Sequence, residues 1–78
     1  MSPKLPIVKV KVLEKLILHL GFEIKRQNGS HVFYRHPDGR YTTLPHHGNQ
    51  ETGRPLLRQI LREIEISPEQ FIETLKKL

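Results

Sequence analysis

The chain has 78 residues, a net charge of +5 at neutral pH and no cysteine. One small domain fits this length, withdrawing roughly 60–65% of its unfolded surface from water. Disulfides and thiolate metal sites are excluded, and no apolar run reaches the roughly 20 residues of a membrane span. The excess of Lys and Arg points to a polyanionic partner, and the absence of cysteine suits a cytoplasmic setting.

Residues 1–6, MSPKLP, read as a loose arm, because their two prolines resist regular pairing. From about Lys9 the pattern becomes helical. Val12, Leu13, Leu16, Ile17 and Leu20 form one apolar stripe at a 3.6-residue period, and Gly21 suits the left-handed residue that closes a helix. Lys9 stands where a Ser, Thr or Asp cap is preferred, so the helix begins without a good N-cap.

Three short strands follow: 22–27 (FEIKRQ), 30–36 (SHVFYRH) and 40–45 (RYTTLP). Asn28-Gly29 predicts a type I′ hairpin turn, and Pro37-Asp38-Gly39 a type I turn with a glycine bulge. That first turn would pair Gln27 with Ser30, Arg26 with His31, Ile24 with Phe33 and Phe22 with Arg35. One face then carries Phe22, Ile24, Arg26, His31 and Phe33, joined by Tyr41, Thr43 and Pro45, and is expected to pack on the helices. The other carries Glu23, Lys25, Val32, Tyr34, His36, Thr42 and Leu44, and is expected to be open.

After a loop at 46–53, Pro55 suits the first turn of a second helix with Leu56, Leu57, Ile60, Leu61 and Ile64 apolar. Ser67-Pro68-Glu69-Gln70 is a capping box opening a last helix with Phe71, Ile72, Leu75 and Leu78 apolar. The expected fold is α+β: helix, three-stranded antiparallel meander, then two helices, with all helices on one face of the sheet.

His31 is the first candidate for chemistry. The proposed register places it one residue past a tight turn, opposite Arg26, a cation that would disfavour its protonation. A neutral imidazole can act as general base, and the 2′-hydroxyl of RNA is a nucleophile already beside its own phosphate. Gly29 permits close approach of a ligand, and Ser30 offers a hydroxyl to a phosphate oxygen. Pro45 lies opposite His31 in this register, so His47 could approach it as general acid. No metal site is expected, since no suitably spaced carboxylate accompanies the histidines. Arg54, Arg58 and Arg62 recur every four residues along the second helix. Lys25, Arg26, Arg35 and Arg40 lie on the meander with Tyr34 and Tyr41 between them, a pattern suited to phosphate contact and base stacking. A solvated charged face and a histidine that merely tops a hairpin are the plainer readings of the same residues.

The stretch LGFEIKRQNGSHVFYRHPDGRYTTLPHH, followed by Gly-Arg-Pro-Leu-Leu-Arg-Gln-Ile-Leu, resembles the HicA (YcfA-like) toxins of type II toxin–antitoxin systems, from about Leu5 to Ile66. The Gly-Phe that ends the first helix, Gly29-Ser30-His31 and Pro45-x-His47 carry the resemblance. It implies a fold like that of double-stranded-RNA-binding domains, and on length the whole of 1–78 is expected to be a single domain. It also implies a metal-independent ribonuclease that cleaves mRNA, with the histidine of Gly-Ser-His, here His31, catalytic; His47 is its expected helper on the register alone. Lys25, Arg26, Gly29, Ser30, Arg54 and Arg58 would be the RNA contacts. A HicB-like antitoxin would be the protein partner, and the free chain a monomer or weak dimer. Neither His36 nor His46 receives a role. The rival readings are a non-catalytic RNA-binding module on the same fold, and a protein-interaction module docking through Val32, Tyr34 and Leu44.

Overall fold

The structure, a computed structural model, describes residues 4–46 and 50–78. Two short strands frame the domain: β1 (Val8–Lys9) pairs antiparallel with β5 (Glu51–Thr52). Between them lie α1 (Val10–His19) and the meander β2 (Glu23–Asn28), β3 (His31–Arg35) and β4 (Tyr41–Pro45), in that spatial order. The helices α2 (Arg54–Ile64) and α3 (Pro68–Lys76) complete the chain. This is the expected α+β fold, a helix, a three-stranded antiparallel sheet and further helices, of the double-stranded-RNA-binding-domain type.

Each helix ends for a readable reason. Lys9 makes no side-chain cap, as expected. The orphan N–H of Val10 donates instead to the Gln50 carbonyl at 2.9 Å, so the β1–β5 pairing does the work of the missing cap. At the far end Gly21 takes φ +99, and the N–H groups of Gly21 and Phe22 reach back to the carbonyls of Leu18 and Ile17. The capping box of α3 is present in both directions: Ser67 Oγ accepts from the Gln70 N–H at 3.1 Å, and Gln70 Oε1 from the Ser67 N–H at 2.8 Å.

The end of α2 is less comfortable. Glu65 sits there at φ 59, ψ 45, a left-handed conformation that costs a side-chain-bearing residue about 1 kcal/mol. Its carboxylate also lies at the negative end of the helix dipole. Glu65→Gly is therefore expected to stabilise the fold by about 0.5–1 kcal/mol, read as a higher urea midpoint with an unchanged slope.

The arm at 1–6 is not loose where it is described. Leu5 is buried in the core, and its carbonyl accepts from Arg54 Nε at 2.7 Å. The core also gathers Leu13, Leu16 and Ile17 of α1, Val32, Tyr34 and Leu44 of the sheet, Leu57, Ile60, Leu61 and Ile64 of α2, and Phe71 of α3.

The two faces of the sheet are the reverse of the sequence reading. Val32, Tyr34, Thr42 and Leu44 are buried beneath the helices, whereas His31, Arg26, Tyr41 and Thr43 are exposed. The expected interaction patch of Val32, Tyr34 and Leu44 is thus interior. The reason is charge: packing the other face on the helices would bury Arg26 and Arg35 without partners, which costs far more than leaving Phe33 and Tyr41 half in water.

The first turn also differs. Its central residues are Gly29 and Ser30, not Asn28 and Gly29, and only Gly29 has positive φ (+62). That is the Gly-first pattern of a type II′ turn. Asn28 now faces His31 and Arg26 faces Phe33, so neither the Gln27–Ser30 nor the Arg26–His31 pairing exists. The shift advances both strands by one residue and keeps the same residues co-facial. A bulge at Lys25 then breaks the alternation, leaving Glu23 opposite Arg35. Beyond the bulge both Phe22 and Ile24 leave the face of Arg26: Ile24 stands opposite Tyr34 yet stays exposed, and Phe22 drops into the core. The second turn is as expected: the Gly39 N–H donates to the His36 carbonyl at 2.9 Å, and Gly39 takes φ +102.

Candidate functional site

The uncovered face of the sheet is ordered in three cross-strand rows. Asn28, His31 and Pro45 form the first, Arg26, Phe33 and Thr43 the second, Glu23, Arg35 and Tyr41 the third. His31 is exposed at the turn end, where the ladder holds its backbone on both sides. The turn itself is tied down, because the Ser30 carbonyl accepts from the backbone N–H of His46. A Cβ built on Gly29 would meet nothing within 4 Å, so the approach to this corner is open.

The expected site residues divide between two layers. Arg26 shares the face of His31 but stands one row away, with its guanidinium 5.7 Å from the centroid of the Phe33 ring. It is therefore not the direct neighbour expected for His31. Lys25, at the bulge, pairs with Glu23 at 3.2 Å. Arg54 and Arg58 belong to α2, which packs on the opposite side of the sheet. Arg54 is engaged with the Leu5 carbonyl, whereas Arg58 is exposed. His47 lies outside the described residues.

Two other side chains, Arg40 and His36, have local work. Arg40 donates to the Ile64 carbonyl at the end of α2, pairs with Asp38 at 2.8 Å and lies 5.2 Å over the Phe22 ring. The hydrogen bond from the Arg40 N–H, with the guanidinium nearby, holds the Asp38 carboxyl below its usual range. His36 packs edge-on against Phe22 at 5.1 Å and accepts from the Asp38 N–H through Nδ1 at 3.1 Å. Both residues serve the turn at 37–39.

The sequence reading missed a polar cluster under the sheet. The Tyr34 hydroxyl donates to the Glu14 carboxylate. It also lies 2.8 Å from His46 Nε2, which in turn is 3.3 Å from Glu14 Oε2. Tyr34 has one proton, already given to Glu14, so Nε2–H of His46 must be the donor in the second bond. The His46 ring also stacks on that of Tyr34, with centroids 6.5 Å apart. The cluster fixes His46, whose backbone N–H anchors the turn before His31. No spacing joins positions 14, 34 and 46 in the sequence, so only the fold could disclose it.

Burial, reinforced by the Glu14 carboxylate, pushes the Tyr34 hydroxyl far above the ordinary phenol value of 10.0. Below that value the phenol is neutral in folded and unfolded chains alike, and its contribution is whole. Above it, the unfolded chain sheds a proton that the folded one keeps, so stability falls by about 1.4 kcal/mol per pH unit. Tyr34→Phe should remove that alkaline loss. At neutral pH it should cost about 1–3 kcal/mol, because Glu14 and His46 lose their partner. Urea titrations at neutral pH and above the phenol range measure both effects.

Among the described residues, no helix is long and apolar enough to cross a membrane, and no three His, Asp or Glu side chains gather as a metal site would require. Compared with protein families, residues 10–66, well over half of the chain, match the family described as HicA toxin of bacterial toxin-antitoxin. No curated protein matches the chain.

Proposed function

The chain belongs to the HicA toxin family of bacterial toxin–antitoxin systems, and from that premise we propose that it is an endoribonuclease acting on mRNA in the cytoplasm, with His31 as general base. The observation that carries this reading is the position of His31: its side chain is in solvent, while its backbone is held by two strands and an anchored turn. An imidazole so held can take the proton of a ribose 2′-hydroxyl that comes to rest against it. O2′ then attacks the adjacent phosphorus, the P–O5′ bond breaks, and the departing 5′-oxygen takes up a proton. The products are a 2′,3′-cyclic phosphate and a 5′-hydroxyl, and the balance needs no metal. His47 is the proposed donor of the second proton.

In this reading Gly29 leaves room for the backbone of the RNA, and the Ser30 hydroxyl binds a phosphate oxygen. Lys25 and Arg26 meet the next phosphates along the sheet. Arg58, with Arg54 behind it, would contact RNA that passes round the edge of the domain into the helical layer. The antitoxin is a HicB-like protein that covers the sheet face and closes His31 to RNA.

The test is end-group analysis. Purified protein, treated with chelator, should cut single-stranded RNA and leave cyclic phosphate and 5′-hydroxyl ends. Ends of the opposite polarity, or activity that vanishes with the chelator and returns with a divalent cation, overturn the chemistry. A second reading, RNA binding without cleavage, is favoured by the contact of Arg26 with Phe33 on the same face. It predicts salt-sensitive binding with no products.

A further inference from the structure

The uncovered sheet face has more on it than one histidine. Tyr41 is 59% exposed and Phe33 half-buried, and their rings lie 5.6 Å apart with a 35° tilt. Arg26 covers part of the Phe33 ring, and Arg35 stands beside Tyr41 in the third row. An apolar pair of this size on an open sheet is costly to leave wet, and the ring of basic groups argues against an apolar occupant. Three cations, Lys25, Arg26 and Arg35, face one carboxylate, Glu23, which Lys25 already neutralises. Rings framed by guanidinium groups suit a ligand that is flat and aromatic in one part and anionic in another. Unpaired nucleotides have that chemistry; duplex RNA, with its bases stacked inside, does not.

We propose that Phe33 and Tyr41 form a stacking platform for unpaired bases of the RNA substrate, flanked by Arg26 and Arg35 for its phosphates, and that the strand runs from this platform to His31 at the turn. Successive rows on the same face are about 7 Å apart, so the strand crosses the face from Tyr41 through Phe33 to His31 with one row per step. The platform also explains how a base that needs a flexible 2′-hydroxyl is supplied with one: stacked single strands are held without being paired. The direction of the strand rests on the reading of His31 as the cleaving residue; the platform does not.

The test separates the two. Binding is measured with His31→Ala protein, so that RNA is not consumed, using a fluorescein-labelled oligouridylate and a duplex of equal length. The single strand should bind more tightly than the duplex. Tyr41→Ala and Phe33→Ala in that background should each weaken it on the order of tenfold or more, and Tyr41→Phe should retain binding. Because the chain has two tyrosines and no tryptophan, and Tyr34 is buried, stacking should also quench the tyrosine emission of Tyr41. Tyr41→Ala, at an exposed position, should leave the unfolding midpoint unchanged, which guards against a folding artefact. Equal affinity for strand and duplex, or no loss in either alanine variant, overturns the platform, as does a Tyr41→Ala defect confined to antitoxin binding. Quenching and tight binding without cleavage by the wild-type protein would instead remove the nuclease reading and leave the platform standing.

Discussion

Replacing His31 by alanine is expected to reduce RNA cleavage by about 10²–10⁴-fold, the usual contribution of a positioned general base. Toxicity on induction in bacteria should fall with it. The fold should survive, because the ring is exposed and the backbone hydrogen bonds of β3 remain; exposed substitutions of this kind change stability by about 0.5 kcal/mol or less. The comparison therefore reads chemistry and not unfolding, provided the urea midpoints of the two proteins agree. His31→Gln is a useful companion: it preserves size and hydrogen bonding but cannot serve as a base at neutral pH. Both variants should be inactive while retaining RNA affinity within a few-fold. Residual cleavage near the wild-type rate in either one would remove His31 from the mechanism.

What the sequence disclosed and what it withheld have physical causes. Helix periods, the capping box at Ser67 and Gln70, and the loop closed by Gly39 are local signals, and each is where the residues put it. The co-facial set of Arg26, His31, Phe33, Tyr41, Thr43 and Pro45 was also legible, because alternation survives a one-residue displacement of the turn on both strands. The orientation of that set was not. Counting apolar residues favoured the face with Phe33 and Tyr41, while the cost of burying Arg26 and Arg35 decided for Val32, Tyr34 and Leu44. The bulge at Lys25, which moves Phe22 and Ile24 to the helix-facing side and buries Phe22, has no local sequence signature. His31 benefits from this outcome: on the helix-facing side it would have been closed to RNA. The Glu14–Tyr34–His46 cluster depends on three separate elements, so its existence follows from packing and from nothing adjacent in the chain.

The larger stability effect is expected at the other end of the molecule. Phe71 is fully buried, yet it lies in α3, beyond residues 10–66 that match the family, as Leu5 lies before them. The family pattern thus leaves out two residues that close the core of this chain. Phe71→Ala should cost about 3–5 kcal/mol, from lost transfer energy plus the cavity left behind. A domain of this size has about 4–12 kcal/mol in total, so the variant should lose about a quarter or more of its stability and unfold at a clearly lower temperature. Leu78→Ala, at an exposed position on the last residue, should change the urea midpoint little, which controls for any general weakness of the C-terminus. Because β3 and β4 are backed by the core that Phe71 completes, its loss should also lower cleavage, through the population of folded protein and not through the reaction itself. Cooling the assay should then restore activity to Phe71→Ala and leave His31→Ala inactive. Failure of the cold to separate them would mean that the core and the histidine act on the same step.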